Sequence, residues 1–164
     1  MKTATTAYTT VGSPLGDLLL TGEHGSLSGL YLPPHKGAPG VGTDWCRDDE
    51  AFSDARQQLT AYFAGELQTF HLDLAPHGTA FQLRVWQALA EIPYGTTISY
   101  RQLAERVGNP NASRAVGLAN GRNPISIVVP CHRVIGANGA LVGYGAGVER
   151  KRWLLAMEGT LLAG

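Results

Sequence analysis

Along the first third of the chain, short apolar runs alternate with turn residues. Ala7 to Val11 is followed by Gly12-Ser13-Pro14, Asp17 to Thr21 by Gly22 to Ser26, and Leu27 to Leu32 closes the series. This rhythm predicts a small antiparallel sheet. Pro33 to Thr43, rich in proline and glycine, reads as a loop. From Glu50 the apolar positions Phe52, Ala55, Leu59, Tyr62 and Phe63 recur at helical spacing, and Gly65 stands where such a helix would stop. Phe70, Leu72 and Leu74 then alternate as a strand would, and Ala75-Pro76-His77-Gly78 reads as a linker.

Beyond the linker the pattern is mostly helical. Thr79 with Gln82 forms a capping box ahead of Phe81, Val85, Ala88, Leu89 and Ile92, and Pro93-Tyr94-Gly95 ends that helix. Ser99 with Gln102 forms a second capping box, opening a helix of about two turns that Gly108 closes. Asn109-Pro110 offers a cap and a first-turn proline for a further helix with Ala112, Ala115, Val116 and Ala119 on one face. Two short helices joined by a tight turn make a helix-turn-helix pattern. The fold class is therefore α+β: a small N-terminal antiparallel sheet with a helix over residues 1–75, then a mostly helical domain over residues 78–164.

Composition narrows the function. Apolar residues make up 44% of the 164 and charged residues 16%, which fits a compact globule and not a long disordered chain. No stretch approaches the ~20 apolar residues of a membrane span, and Met1 to Thr10 lacks the apolar core of a leader. Cytoplasmic location is the expectation. Net charge is zero, yet residues 1–75 hold four Lys/Arg against nine Asp/Glu, and residues 76–164 hold nine against four. A positive second half suits a polyanionic partner.

Only Cys46 and Cys131 are present, which excludes a disulfide framework and a four-cysteine zinc site. A lone cysteine is ordinarily a small core residue. Cys131, however, is followed by His132 and Arg133, and a nearby base or cation is what turns a thiol into a nucleophile. Side chains of an extended segment alternate, so a local turn or a water would have to connect Cys131 to His132. Cys46 lies between Asp44 and Asp48, an acidic setting that disfavours thiolate, and has no assigned role. His24, His35, His71 and His77 do not form a zinc spacing, and Gly143 to Gly147 lacks the Gly-Lys-Ser/Thr of a phosphate loop.

The run Asn123-Pro124-Ile125-Ser126-Ile127-Val128-Val129-Pro130-Cys131-His132-Arg133-Val134-Ile135-Gly136 resembles the active-site signature of the O6-alkylguanine-DNA alkyltransferases. The resemblance covers most of residues 78–158, through Ile98-Ser99-Tyr100, Asn109-Pro110, Arg114-Ala115-Val116-Gly117, Gly143-Tyr144-Gly145 and Glu158. It implies irreversible transfer of an alkyl group from O6-alkylguanine, and from O4-alkylthymine, in double-stranded DNA to Cys131, with no cofactor and no obligate protein partner. It further implies that His132 activates Cys131 through a water, that Glu158 orients His132, and that Asn123 buttresses the arrangement. Tyr100 would crowd the DNA backbone and protonate the leaving guanine. Arg114 would fill the space left by the flipped base. Ser113, Ala115 and Gly117 would let the second helix approach the minor groove, Arg101 and Asn109 would contact phosphate, and Val134, Tyr144, Gly145 and Lys151 would line the pocket. The first half lacks the cysteines that hold zinc in some members, so no metal is expected.

Two other readings remain open on sequence: a thiol hydrolase using Cys131, His132 and Glu158, and a DNA-binding module that senses alkylated bases without repairing them. Neither explains every feature. The hydrolase leaves Tyr100, Arg114 and the paired short helices unused, and the sensor leaves the thiol unused.

Overall fold

The computed structural model describes residues 6–23, 25–33, 45–136, 138–141 and 147–160. Strand β1 (Ala7–Val11) pairs antiparallel with β2 (Leu18–Glu23), which pairs antiparallel with β3 (Ser26–Tyr31). The turn between β1 and β2 needs Gly16, whose φ of 103° is open to glycine and strained for other residues. A two-residue strand, β4 (Cys46–Arg47), joins β1 in parallel and gives the order β3-β2-β1-β4. Helix α1 (Ser53–Phe63) follows a short 3-10 turn and buries Ala55, Leu59 and Tyr62, with Gly65 at φ 77° just past its end. The apolar spacing thus located both the helix and its stop.

Phe70, Leu72 and Leu74 do not form a strand of the sheet. Only Leu74 makes a bridge, to Leu27, where Leu27 N donates to Asp73 O and Ala75 N to Leu27 O, both at 2.8 Å. All three side chains nevertheless pack against the core, so the alternation records an extended chain lying over it without a ladder.

The second half contains α2 (Ala80–Ala90), β5 (Ile98–Ser99), α3 (Tyr100–Arg106), α4 (Ser113–Gly121), β6 (Val134–Ile135) and α5 (Val148–Met157). Both capping boxes are formed, each reciprocally: Thr79 with Gln82 and Ser99 with Gln102. β5 and β6 pair in parallel, Ile98 with Val134, which fixes the segment after Cys131 to the start of α3. Trp86 Nε1 donates to Ala119 O at 2.8 Å and ties α2 to α4. Helix α4 starts at Ser113, after a turn in which Asn109 Oδ1 accepts from Asn111 N. Asn109-Pro110 therefore shapes the turn, and the sequence expectation that it caps the helix is corrected.

One hydrophobic core runs through both halves, from Leu18, Leu20 and Leu30 of the sheet to Val85, Leu89, Val116 and Leu154 of the helices. The exposed edge of β3 is used in the same way. Leu30 N donates to Pro124 O at 2.8 Å and Ser126 N to Leu30 O at 3.1 Å, so the N-terminal sheet holds the chain leading to Cys131. Among the described residues, no helix is long and apolar enough to cross a membrane.

Candidate active site and nucleic-acid interface

The approach to Cys131 is a fixed turn, not a strand. Asn123 Nδ2 donates to Val129 O at 2.8 Å while its Oδ1 accepts from Ile125 N at 3.0 Å, so one side chain clamps both ends of the loop. Inside that loop Ile127 has φ 74°, a left-handed conformation that a β-branched residue adopts only at a cost of roughly 1–3 kcal/mol. Pro130 then adopts φ −82° and ψ 65°, an inverse γ-turn that closes with Cys131 N on Val129 O at 2.8 Å. Cys131–Arg133 follows as one 3-10 turn, which sends Cys131, His132 and Arg133 in different directions.

All three side chains are buried, and so is Glu158 at the end of α5. His132 Nε2 lies 2.8 Å from Glu158 Oε2. Arg133 grips the same carboxylate with two bonds, Nε to Oε1 at 2.8 Å and Nη2 to Oε2 at 3.0 Å, and donates its Nη1 to Ile92 O at 2.7 Å. Its guanidinium also sits 5.6 Å from the ring centre of Tyr94. Tyr62, from α1, donates its hydroxyl to Glu158 Oε2.

Burial alone would raise the Glu158 carboxyl, but the hydrogen bonds and charges of His132 and Arg133 outweigh it and hold the pKa at about 2. An ionised carboxylate only accepts, so the His132 proton sits on Nε2. Burial pushes the His132 pKa below its usual value, against the pull of Glu158, so the ring rests neutral. Its Nδ1 is then a lone-pair acceptor, and among the described residues it has no hydrogen-bond partner. That is the electronic state a general base requires.

Cys131 is 4% exposed, and burial pushes its thiol above the ordinary range. A hydrogen bond from Asn123 and the charge of Lys151 act in the opposite direction. Burial brings Lys151 down to about 8, partly offset by Cys131, and its Nζ donates to Val134 O. Arg133, the expected cation beside the thiol, is committed to Glu158 instead. Its fixed fork suits a planar carboxylate, and the 3-10 turn carries it away from Cys131.

The outer face of the helix pair presents Arg114 and Ala115 exposed, with Ser113 and Gly117 half-buried beside them. Leu118, one turn beyond Arg114, is 64% exposed. Gly117 faces Tyr100: an added Cβ would lie 3.6 Å from its ring. The half-buried Tyr100 therefore stands where α4 meets the reactive centre, and burial, with the nearby Cys131, raises its pKa and keeps it a phenol. Arg101 and Asn109 are exposed, Arg101 in a 3.6 Å pair with Glu105.

The fold thus gathers Cys131, His132, Glu158, Asn123, Tyr100, Val134 and Lys151, and sets Arg114 and its small neighbours on the adjoining surface. Tyr144 and Gly145 lie outside the described residues, as do most of the Gly143 to Gly147 and Pro33 to Thr43 loops, His24 and His35. Among the described residues no group of His, Cys, Asp or Glu could hold a metal ion. The sequence pattern read Tyr62 as a core residue only. Its partner lies 96 positions away, and no local signal announces it.

A buried cysteine with a carboxylate-oriented histidine behind a helix-turn-helix defines a thiol-using, nucleic-acid-facing protein, and comparison with known proteins places it. Residues 80–160 match the model of the 6-O-methylguanine DNA methyltransferase DNA binding domain, and residues 6–76 that of the 6-O-methylguanine DNA methyltransferase ribonuclease-like domain. The chain belongs to this family. It is 52% identical over 153 residues to the methylated-DNA–protein-cysteine methyltransferase of Methanosarcina acetivorans, covering 93% of this chain and 98% of the relative. The crystal structure of Mycobacterium tuberculosis O6-methylguanine methyltransferase superposes with a TM-score of 0.87 at 51% identity, over 97% of this chain and 96% of that one. Mycobacterium tuberculosis OGT in complex with DNA gives 0.85 at 55% identity, over 93% and 92%.

Proposed function

We propose that this protein repairs DNA by moving an alkyl group from guanine O6 in a duplex onto Cys131 Sγ, once and irreversibly. The observation that carries the reading is the buried pair in which Glu158 fixes the His132 tautomer and leaves Nδ1 as a lone-pair acceptor, to which a water would pass the thiol proton of Cys131. The thiolate then attacks the alkyl carbon in line. The new C–S bond forms as the C–O bond breaks, and the departing guanine receives a proton from the Tyr100 phenol. The proton given up by the thiol balances the one the base gains.

A thioether has no carbonyl for water to attack, so each molecule reacts once. That outcome separates the reading from a thiol hydrolase, whose acyl thioester would turn over. Reaching a base inside a duplex requires flipping it out, at a cost of a few kcal/mol. Arg114 would fill the gap, a reading supported by its exposure on α4, one turn before the Gly117 that faces Tyr100.

Mass measurement after incubation with O6-methylguanine duplex tests the reading. One methyl group retained on the Cys131 peptide is the expected result; an unchanged mass would point to the hydrolase or the sensor. Cys131→Ser should retain no methyl while still binding DNA. Cys46→Ser should react normally, because Cys46 is exposed on β4 in the N-terminal sheet.

Arg114→Ala should slow repair of duplex substrate far more than reaction with free O6-alkylguanine. Equal losses on the two substrates would remove Arg114 from the base-flipping role. Duplex affinity should also fall as salt rises, by counterion release from phosphate.

A further inference from the structure

The reaction proposed above draws all its groups from the second half of the chain. We propose that Tyr62, on helix α1 of the first half, is a positioning residue of the reactive centre: its hydroxyl fixes the Glu158 carboxylate that orients His132. The inference rests on the alkyl-transfer reading and extends it to the N-terminal domain.

Tyr62 is fully buried. Its ring is held by Phe70, with centroids 5.2 Å apart, and by Tyr94 at 6.2 Å edge-on. Packing of this kind asks only for a phenylalanine. A buried hydroxyl is unfavourable unless it is bonded, and this one is bonded to a charged oxygen. The acceptor is Oε2, which also receives His132 Nε2 and Arg133 Nη2. Because Glu158 is ionised it can only accept, so the phenol must be the donor.

The geometry gives this contact a directional role. Glu158 follows the last turn of α5, and its remaining donors all come from the 3-10 turn that carries Cys131. Those donors would move with that turn. Among the described residues, Tyr62 alone donates to the carboxylate from another element, one in the sheet-bearing half. It therefore ties the rotamer of Glu158, and through it the His132 ring, to a helix outside the 3-10 turn that carries Cys131.

Removing the hydroxyl also has a chemical consequence of definite sign. The titratable and charged groups facing Glu158 are Tyr62, Tyr94, His132 and Arg133, and His132 further senses Lys151. With one donor gone, Oε2 carries more of its charge toward His132, which becomes easier to protonate. His132 must be neutral to accept the thiol proton. The acid limb of the rate profile therefore moves to higher pH.

The test compares wild type and Tyr62→Phe for the second-order rate of Cys131 alkylation between acid and alkaline pH. Free O6-benzylguanine and methylated duplex serve as substrates in parallel. The expected shift is about one pH unit, the size of one hydrogen bond to a charged group. On the acid side the rate drops roughly tenfold, with the alkaline plateau within about threefold of wild type. Both substrates should shift alike, with affinity for unmodified DNA unchanged. A second variant, Phe70→Leu, loosens the ring packing while leaving the hydroxyl in place; it should lower the melting temperature without moving the acid limb.

A Tyr62→Phe profile that superposes on wild type, or is scaled equally at every pH, would overturn the proposal. So would a Phe70→Leu variant that moves the limb as far. If the wild-type protein itself acquires no alkyl group on Cys131, the underlying reading of function fails instead.

Discussion

Glu158→Gln is expected to lower stability by about 3–5 kcal/mol and to slow alkyl transfer by roughly 10²–10⁴-fold. The loss of stability comes from Arg133. Its guanidinium is buried with two of its bonds on Glu158, and a neutral amide leaves that charge without a counter-ion. Glutamine has nearly the right shape, but whichever way its amide is turned, an NH₂ group meets the donors of Tyr62, His132 and Arg133 or loses one Arg133 bond. The loss of rate comes from His132, whose tautomer is no longer fixed with Nδ1 as the acceptor. For a chain of this size each kcal/mol moves the melting temperature by about 2–4 °C, so calorimetry should show a drop of roughly 6–20 °C. An unchanged melting temperature would mean that Arg133 does not depend on this carboxylate.

The pH dependence of stability follows from the same two groups. The unfolded chain protonates His132 near 6.5, while the buried native ring resists the proton. Stability therefore begins to decline as the pH falls below that value. Glu158 contributes stability that is complete above its ordinary 4.5 and is lost as the pH falls toward about 2. In both windows the unfolded state binds more protons, so both act toward acid lability. Glu158→Gln removes the second window, and its deficit against wild type should narrow below pH 4.5. Urea titrations at several pH values would show whether the two curves converge.

These arguments depend on features that the sequence displayed unequally. The capping boxes at Thr79 and Ser99 were legible because all their partners lie within one turn of chain, where residue type and spacing determine the bond. The order of motifs around Cys131 carried the family resemblance, and with it the gathering of His132, Asn123, Tyr100 and Glu158. Asn109-Pro110 was ambiguous for a physical reason. The same pair suits a helix start and an Asx turn, and here Asn109 Oδ1 accepts from Asn111 N while α4 begins only at Ser113. Strand β4 is two residues long and has no periodicity to read. Arg133 stands next to His132 in sequence, yet its direction is set by a 3-10 turn that the apolar run ahead of it does not announce. The Tyr62 to Glu158 contact spans the interface of the two halves, where side-chain chemistry is decided by docking and not by local pattern.

The spent protein should be less stable than the unreacted one. Cys131 is 4% exposed and begins a turn bounded by the buried Val129 and Val134, with its carbonyl receiving Asn120 Nδ2 at 3.4 Å and the strained Ile127 four residues before it. An S-alkyl group must be accommodated inside this packing. Extra methylene-sized volume in a filled site costs about 1–3 kcal/mol when neighbours have to shift. Loss of thiolate stabilisation adds little, because burial raises the Cys131 pKa and the resting group is the neutral thiol. The steric cost therefore decides the effect and should grow with the size of the alkyl group. Methylation should lower the melting temperature by roughly 2–12 °C at about 2–4 °C per kcal/mol, and benzylation by more. Unreacted, methylated and benzylated samples would be compared at equal concentration, each confirmed by mass. Equal or higher melting temperatures after alkylation would show that the site yields without strain, and that the reaction leaves no structural mark on the protein.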